Sequence, residues 1–509
     1  MIICARGKPF GRLVAAVTLL ITAGCTADPA PPAPVVTPAT SPPAVLASPA
    51  PPPNIVLVLV DDLSMNLVPY MPNVRKLQRD GTTFTGYTVT DSLCCPSRAS
   101  LFTGRFPHNT GIVKNHGSDG GFRLFHSRGL ERSTFATDLR GAGYRTAFLG
   151  KYLNEYEPGE RMGGDRPYVP PGWDQWYAGG NAYPGFDYQL NENGRVVSYG
   201  SKPKDYLTDV LAGKAVDFIS ATATTGKPFL IEVATYAPHH PYTPAPRDAN
   251  LFPGLRAPRT AAWNRAPEDT VWLAGKPELT ARQERDIDED FRLRVQSVQS
   301  VDRMIGRLRS ALATAGAADR TVVVFTSDNG YHMGEYSLPA GKQTAFDTDV
   351  NVPLVMAGPG IGAGRDAAAV VTNVDLRPTF AEWAGLPAPA EADGRSITPL
   401  LSGSTPAGWP RAALIEHHDP ATDPRDPDFE RDSMNIPPSY DALRTATFTY
   451  IEYVDGTVEY FDRTSDPDML RNVAGTLGPE RLTALRSAVR GLATCVGADA
   501  CGAAADAVK

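Results

Sequence analysis

A chain of 509 residues, 42% of them hydrophobic and 21% charged, has material for one large buried core and a smaller one, which excludes a chain disordered throughout. Its net charge of −7 comes from acids and bases interspersed along the sequence, so no surface is set aside for nucleic acid. Such an acidic chain needs a local positive site if its substrate is an anion.

The first residues carry Arg6, Lys8 and Arg12, then the apolar run Leu13 to Ile21, then Thr22, Ala23, Gly24 and Cys25. The run is too short to cross a bilayer and reads as an export signal. The small residues ending on Cys25 resemble a bacterial lipoprotein signal over residues 1–24, with cleavage before Cys25 and a lipid on its thiol. Thr22 departs from the leucine usual at its place, and secretion after simple cleavage is the alternative. Residues 25–53 are nearly all Pro, Ala, Thr, Ser and Val, an extended spacer that cannot bury a core.

From residue 54 onward short β-branched runs end abruptly in polar residues, as buried parallel strands do when their carboxyl ends feed one site. NIVLVLV (54–60) runs into Asp61 and Asp62. The stretch LCCPSRASLFTGRFPHNTG (93–111) opens a helix at Cys94, with Pro96 in the first turn, where its missing amide is not needed. Free amides and the helix dipole there favour an anion. A second strand around YRTAFLG ends at Lys151, and FLIEVATYA ends before Pro238, His239 and His240. Val295, Val298, Val301, Ile305, Leu308 and Leu312 lay one apolar stripe along a helix. TVVVFTS then ends at Asp328 and Asn329, and VPLVMAG ends in the turn PGIGAG.

This alternation predicts a doubly wound α/β domain, a mostly parallel sheet between helices, over residues 54–404. The remainder, 405–509, reads as a smaller antiparallel sheet with a covering helix. Its signals are a hairpin around Asp455-Gly456 and the stripe Leu482, Leu485, Val489 and Leu492. Of the six cysteines, Cys4 is lost with the signal, and Cys495 and Cys501 are placed for a local disulfide. Residues 161–200 hold Trp173, Trp176, Tyr177, Tyr183, Phe186 and Tyr188, suited either to stacking on a sugar or aryl ring or to packing as a loop.

Asp61 and Asp62 at one strand end, with Asp328 and Asn329 at another, are hard oxygen ligands and select Ca²⁺ or Mg²⁺ over zinc. A lone strand-end aspartate is more often a cap, but two such pairs at the ends of two buried strands are not. Cys94, Pro96, Ser97 and Arg98 with the following TGR resemble the C-x-P-S-R signature of the sulfatases. Further matches are GKYLNEY (150–156), APHHPY (237–242), SDNGYHMGEYSLPAGK (327–342) and TNVDLRPTF (372–380), and together they are most similar to the N-acetylglucosamine-6-sulfatase branch.

The resemblance implies that a host maturation enzyme oxidises Cys94 to formylglycine, whose hydrate is the nucleophile, and that Asp61, Asp62, Asp328, Asn329 and the residue-94 oxygen hold a cation, usually calcium. It implies that Arg98 holds the hydrate, that Lys151 and Lys342 neutralise sulfate oxygens, and that His239 protonates the leaving alcohol. Many sulfatases have a histidine two residues after the lysine matching Lys151, but here that residue is Leu153. His332 is the candidate for the missing base, with His108 and His116 behind it, while His417 and His418 read as a surface loop. The implied function is hydrolysis of carbohydrate or aryl O-sulfate esters. The alternatives are a phosphonate or phosphate ester hydrolase on the same scaffold, and a noncatalytic sulfoglycan-binding lipoprotein.

Overall fold

A computed structural model describes residues 51–418, 426, 428–430 and 432–508; the signal at 1–24, Cys25 and most of the 25–53 spacer lie outside the described residues. Among the described residues, ten strands form the main sheet. Their order is Arg365–Ala367, Thr82–Phe84, Leu354–Ala357, Thr321–Ser327, Asn54–Val60, Phe229–Ala234, Arg145–Lys151, Gln175–Gly179, Gln189–Glu192 and Val196–Ser198. The five strands from Thr321–Ser327 to Gln175–Gly179 run parallel, with Val58 level with Phe325 on one side and Val233 on the other.

Asn54–Val60 is buried at every position, which explains why its sequence is continuously apolar and not alternating. Ile55, Leu57 and Leu59 face one core with Phe102, Phe148 and Trp176, while Val56, Val58 and Val60 face a second core. That second core is closed by the helix Ala281–Thr314, 34 residues long. Thr280 caps it by accepting from the Gln283 amide while Gln283 reaches back, and the predicted stripe from Val295 to Leu312 is buried against the sheet.

One strand expectation is corrected. VPLVMAG forms Leu354–Ala357, which pairs antiparallel with Thr321–Ser327, so its PGIGAG turn lies at the amino ends of the parallel strands. Gly358 there packs so closely that a Cβ would stand 2.6 Å from the Thr321 carbonyl oxygen. The chain leaves Asp328 on the carboxyl side of the sheet and re-enters from that same side, so it has to run back. Four of the five runs deliver polar residues to the site.

Toward the C-terminus Ala412–His417, Tyr440–Thr445, Phe448–Tyr453 and Val458–Asp462 form an antiparallel meander. Its last hairpin turns through Asp455-Gly456, where Gly456 takes φ +84°. One face of this sheet (Ile415, Tyr440, Ala442, Ile451) joins the core under the main sheet; the other (Leu414, Leu443, Tyr450) is covered by Leu485, Val489 and Leu492 of the helix Pro479–Leu492. Cys495 and Cys501 are joined in a disulfide.

Candidate active site

Over the carboxyl ends of the parallel strands lies the helix Cys94–Thr103, buried along its whole length. Leu93 precedes it in extended conformation, and Gly104 ends it in the left-handed region at φ +68°. Asn373 holds the helix from behind by donating to the Ser97 carbonyl (3.0 Å), and the Ser97 hydroxyl donates to the Asp328 carbonyl. The Cys95 amide donates to Asn115 Oδ1 (3.0 Å) while the Cys95 thiol enters the apolar core, so only Cys94 faces the strand ends.

Cys94 Sγ lies 3.6 Å from Asp61 Oδ1, 4.0 Å from Asp62 Oδ1 and 2.8 Å from Lys342 Nζ. Lys151 Nζ donates to both Asp61 oxygens at 2.8 Å, and Lys342 Nζ to Asp62 Oδ1 at 2.7 Å. Arg98, fully buried, donates from Nε to Asp328 Oδ2 (2.8 Å) and from Nη1 to the Lys151 carbonyl (2.8 Å). Asn329 Nδ2 donates to Asp62 Oδ1 at 2.6 Å. His239 Nε2 is 3.6 Å from Asp62 Oδ2, and its Nδ1 donates to the His240 carbonyl at 2.8 Å.

These contacts set the charges. Burial pushes the Cys94 thiol well above its ordinary range, and the nearby Lys151 and Lys342 do not offset it, so the unmodified sulfur stays protonated and is a poor nucleophile. Burial opposes the charge on Lys151, but the Asp61 carboxylate outweighs it and holds the ammonium. Lys342 is held charged against burial in the same way by Asp428 and Asp62. For His239 too burial works against protonation, and Asp62 and Asp61 overcome it, raising the imidazole above its usual value. Asp328 is held below the usual carboxylate range because Arg98 outweighs its burial.

The donor set fits a hard divalent cation. Asp62 Oδ2 and Asn329 Oδ1 are buried and accept no hydrogen bond among the described residues. Ligand atoms of Asp61, Cys94 and Asp328 lie within 4.8 Å of one another, as do those of Asp62, Cys94 and His239. Bare buried oxygens at this spacing are what a calcium- or magnesium-like ion takes up.

The structure thus brings together Asp61, Asp62, Cys94, Arg98, Lys151, His239, Asp328, Asn329 and Lys342. His332 stands to one side in the bridge His332–Met333, opposite Gly341 and next to Lys342, with its Nδ1 paired to both Asp349 oxygens at 3.0 Å. His108 is spent on Glu416 (3.0 Å) and the Cys495 carbonyl (2.9 Å), and His116 contacts Asp426 at 3.0 Å. The surface-loop reading of His417 is corrected: it ends the strand Ala412–His417, is buried, and packs on Tyr440, because register with Tyr440 turns its ring inward. Of the aromatic stretch, Trp173 and Trp176 pack on Phe148, Tyr188 stacks on Tyr199, and Tyr183 reaches the site, its ring 4.4 Å from that of His239.

Sequence reasoning missed Asp428. Its Oδ1 lies 3.0 Å from Lys342 Nζ and 3.3 Å from His239 Nε2, and its Oδ2 accepts from Asn115 at 2.8 Å and lies 3.7 Å from Cys94 Sγ. Lys342 and His239 hold this carboxyl well below the usual range despite its burial. It sits among several aspartates in DPRDPDFERD, where no periodicity or strand end singles it out. Beside Lys151 a cleft of about 360 Å³ opens, lined by His116, Asn154, Glu155, Tyr183 and Tyr236 among others. A larger cavity of about 650 Å³, between the helices Pro72–Asp80 and Ala281–Thr314, touches none of the site residues.

Residues 53–386 match the Sulfatase family model, and residues 334–489 match the model of the N-sulphoglucosamine sulphohydrolase C-terminal region. The human N-acetylglucosamine-6-sulfatase is 34% identical over 473 residues, spanning 87% of this chain and 85% of that protein. Among solved structures, BT4656 in complex with its substrate D-glucosamine-2-N,6-O-disulfate superposes with a TM-score of 0.69 at 23% identity, covering 86% of this chain and 97% of that one. The phosphonate monoester hydrolase of Silicibacter pomeroyi superposes with a TM-score of 0.64 at 23% identity, covering 86% and 94%. The fold is common to both structures, whereas the family match and the human relative span the strand ends and the Cys94 helix together, and the chain belongs to the sulfatase family of sulfuric ester hydrolases.

Proposed function

We propose that this protein hydrolyses O-sulfate esters of sugars, with the 6-O-sulfate of N-acetylglucosamine as the leading candidate and aryl sulfates as activated surrogates. The observation that carries this reading is the seat of Cys94: first residue of a buried helix, 2.8 Å from Lys342 Nζ and 3.6 Å from Asp61 Oδ1. A thiol held protonated there would be a poor nucleophile, so catalysis from this seat calls for its conversion to formylglycine. As a hydrate, formylglycine would supply one hydroxyl to attack sulfur and a second to release sulfate.

Asp61, Asp62, Asp328, Asn329 and the residue-94 oxygen would hold Ca²⁺ or Mg²⁺, which when bound supplies Lewis-acid polarisation at the reacting oxygens. The chain's own groups do the rest. Lys151 and Lys342 stay cationic in the buried site and face the negative charge that builds on the sulfate. Arg98, which locks Asp328 and the end of the Arg145–Lys151 strand in place, would hold the hydrate with its Nη2, which has no hydrogen-bond partner among the described residues. His239, with Nε2 3.3 Å from Asp428 Oδ1 and 3.6 Å from Asp62 Oδ2, donates to the leaving sugar oxygen. His332, oriented by Asp349, is assigned the proton taken up in the release step. Relatives named as N-acetylglucosamine-6-sulfatases support the sugar substrate, and those named as extracellular sulfatases support export. We place the mature protein outside the cell, with a lipid on Cys25 as its membrane link, and Cys25→Ser should release it from the membrane fraction.

The test is a pair of variants with intact mass of the Cys94 peptide. Cys94→Ala should abolish turnover of a 6-sulfated hexosamine with the fold intact, and Cys95→Ala should keep much of it. The wild-type peptide should carry the mass of formylglycine. An unmodified cysteine in a protein that binds but does not turn over the sugar sulfate would favour the noncatalytic reading. Higher kcat/KM on a phosphonate monoester than on a matched sulfate ester would favour the phosphonate one.

A further inference from the structure

Arg294 is fully buried on the helix Ala281–Thr314, next to the apolar stripe that begins at Val295. Taking a guanidinium out of water is costly unless it is well partnered, yet Nε and Nη1 of Arg294 have no hydrogen-bond partner among the described residues. The bond it does make runs from Nη2 to the backbone carbonyl of Asp62. Tyr331 lies 4.3 Å and Tyr242 5.7 Å from its Cζ, measured to the ring centres, and the two phenols share a hydrogen bond of 2.9 Å. Those rings come from the loops that carry Asn329 and His239. The guanidinium therefore ties three site segments together from behind.

Asp62 is where this matters. Its φ is +59°, a left-handed conformation that a non-glycine residue holds at a cost and keeps only when its surroundings over-determine it. Two contacts pin its backbone: its amide donates to Asp328 Oδ1 at 3.1 Å, and its carbonyl accepts from Arg294. That turn aims Oδ1 at Asn329 and Lys342 and leaves Oδ2 bare.

We propose that Arg294 is a positioning residue for the cation site, holding Asp62 in its left-handed turn so that the free carboxylate oxygen points where the ion is bound. This rests on the reading of Asp62 as a cation ligand given above. It concerns only the backbone behind that ligand.

Arg294→Met keeps the length of the side chain and removes the donor. In the full-length, chelator-stripped protein, Ca²⁺ titrated calorimetrically and Tb³⁺ followed by luminescence should bind about 10- to 100-fold more weakly than in wild type, the usual penalty for losing an outer partner of a metal ligand. Turnover of an aryl sulfate should fall at low Ca²⁺ and return at high Ca²⁺ with KM for the ester unchanged. Arg294→Lys, which keeps a donor on a long stem, should recover part of the affinity. The stripped Arg294→Met protein should still melt in a cooperative transition, so that weaker Ca²⁺ binding is not a consequence of unfolding. A folded Arg294→Met that binds Ca²⁺ with wild-type affinity overturns the proposal. If that variant does not fold, Tyr331→Leu, which removes the ring beneath the guanidinium, must show the same weakened Ca²⁺ binding, and wild-type affinity there overturns it equally. Wild-type protein that binds neither Ca²⁺ nor Mg²⁺ would sink the cation reading and this inference together, whereas unchanged affinity in the variants sinks this one alone.

Discussion

Without a bound cation, Asp62 and Asp61 outweigh the burial of His239 and raise its imidazole above the usual value. A sugar alkoxide leaves poorly without a proton, while a nitrophenolate departs nearly unaided. His239→Ala should therefore lower kcat/KM on a 6-sulfated sugar by roughly 10²-fold or more and on an activated aryl sulfate by much less. The pH sign follows from the same charges. A general acid works while protonated, so the sugar-sulfate rate should fall as pH rises through the raised value of His239. Equal losses on both substrates would move the acid role to Lys342. On the role proposed for His332 in the release step, which is common to both esters, His332→Ala should slow both alike. Asp428 tests a different balance: its carboxylate rests on Lys342 and His239, two cations an anionic ester needs. Asp428→Asn, which keeps the shape and removes the charge, should lower KM for the sulfate ester, and a higher KM would instead mark Asp428 as a group that binds substrate.

The strand Phe229–Ala234 holds Glu232 fully buried, level with Leu57 and Phe148 on its two neighbours, with neither carboxylate oxygen hydrogen-bonded among the described residues. Burial raises this carboxyl from 4.5 to about 8. Below 4.5 it is protonated folded or unfolded, and stability does not change with pH through this group. Between 4.5 and about 8 only the folded chain keeps the proton, so stability falls as pH rises, by up to about 1.4 kcal/mol per unit, and the loss is complete above 8. Glu232→Gln should flatten this slope, so urea unfolding at pH 5 and pH 8.5 should show a much larger stability gain over wild type at the higher pH; parallel profiles would mean that Glu232 is not the group responsible. An acid inside a strand interrupts FLIEVATYA without disguising it, because the apolar residues on both sides still report burial on two faces. The same logic made Asn54–Val60 and Thr321–Ser327 readable together with the carboxylates at their ends. Direction is another matter: nothing in VPLVMAG says that Leu354–Ala357 runs antiparallel, since that depends on the path of residues 328 to 350 across the sheet edge. Arg294 escaped notice because an arginine beside an apolar stripe reads as solvent-facing, and only the fold puts Tyr331 beneath it.

At the scale of the whole molecule, the C-terminal sheet is built into the main core and does not merely rest on it. Ile415, Tyr440, Ala442, Ile451 and Phe461 share one continuous apolar cluster with Tyr336, Phe346 and Val350 from the site loops. Polar ties cross the same boundary: the Glu416 amide donates to the Thr90 carbonyl at 2.8 Å, just upstream of Cys94, and Tyr440 donates to the Gln343 carbonyl at 3.2 Å, next to Lys342. Arg444 grips Asp347 through Nε at 2.8 Å and Nη2 at 3.0 Å and also reaches Thr88 Oγ1 at 3.0 Å. Burial works against the charge on Asp347, and Arg444 with Arg463 outweighs it, so cutting Arg444 away leaves a carboxylate with half its support. Although residues 405–509 have their own sheet and helix, these contacts should make them unfold with the rest. Differential scanning calorimetry of the folded protein should then show one transition whose calorimetric and van't Hoff enthalpies agree. Arg444→Met, which breaks a part-buried pair in which Asp347 keeps some contact with water, should lower the stability of that one transition by about 1 to 3 kcal/mol and leave it single. Two separable transitions, with Arg444→Met shifting only one of them, would show instead that the tail is an independent domain and that the shared cluster does not bind the two parts into one cooperative unit.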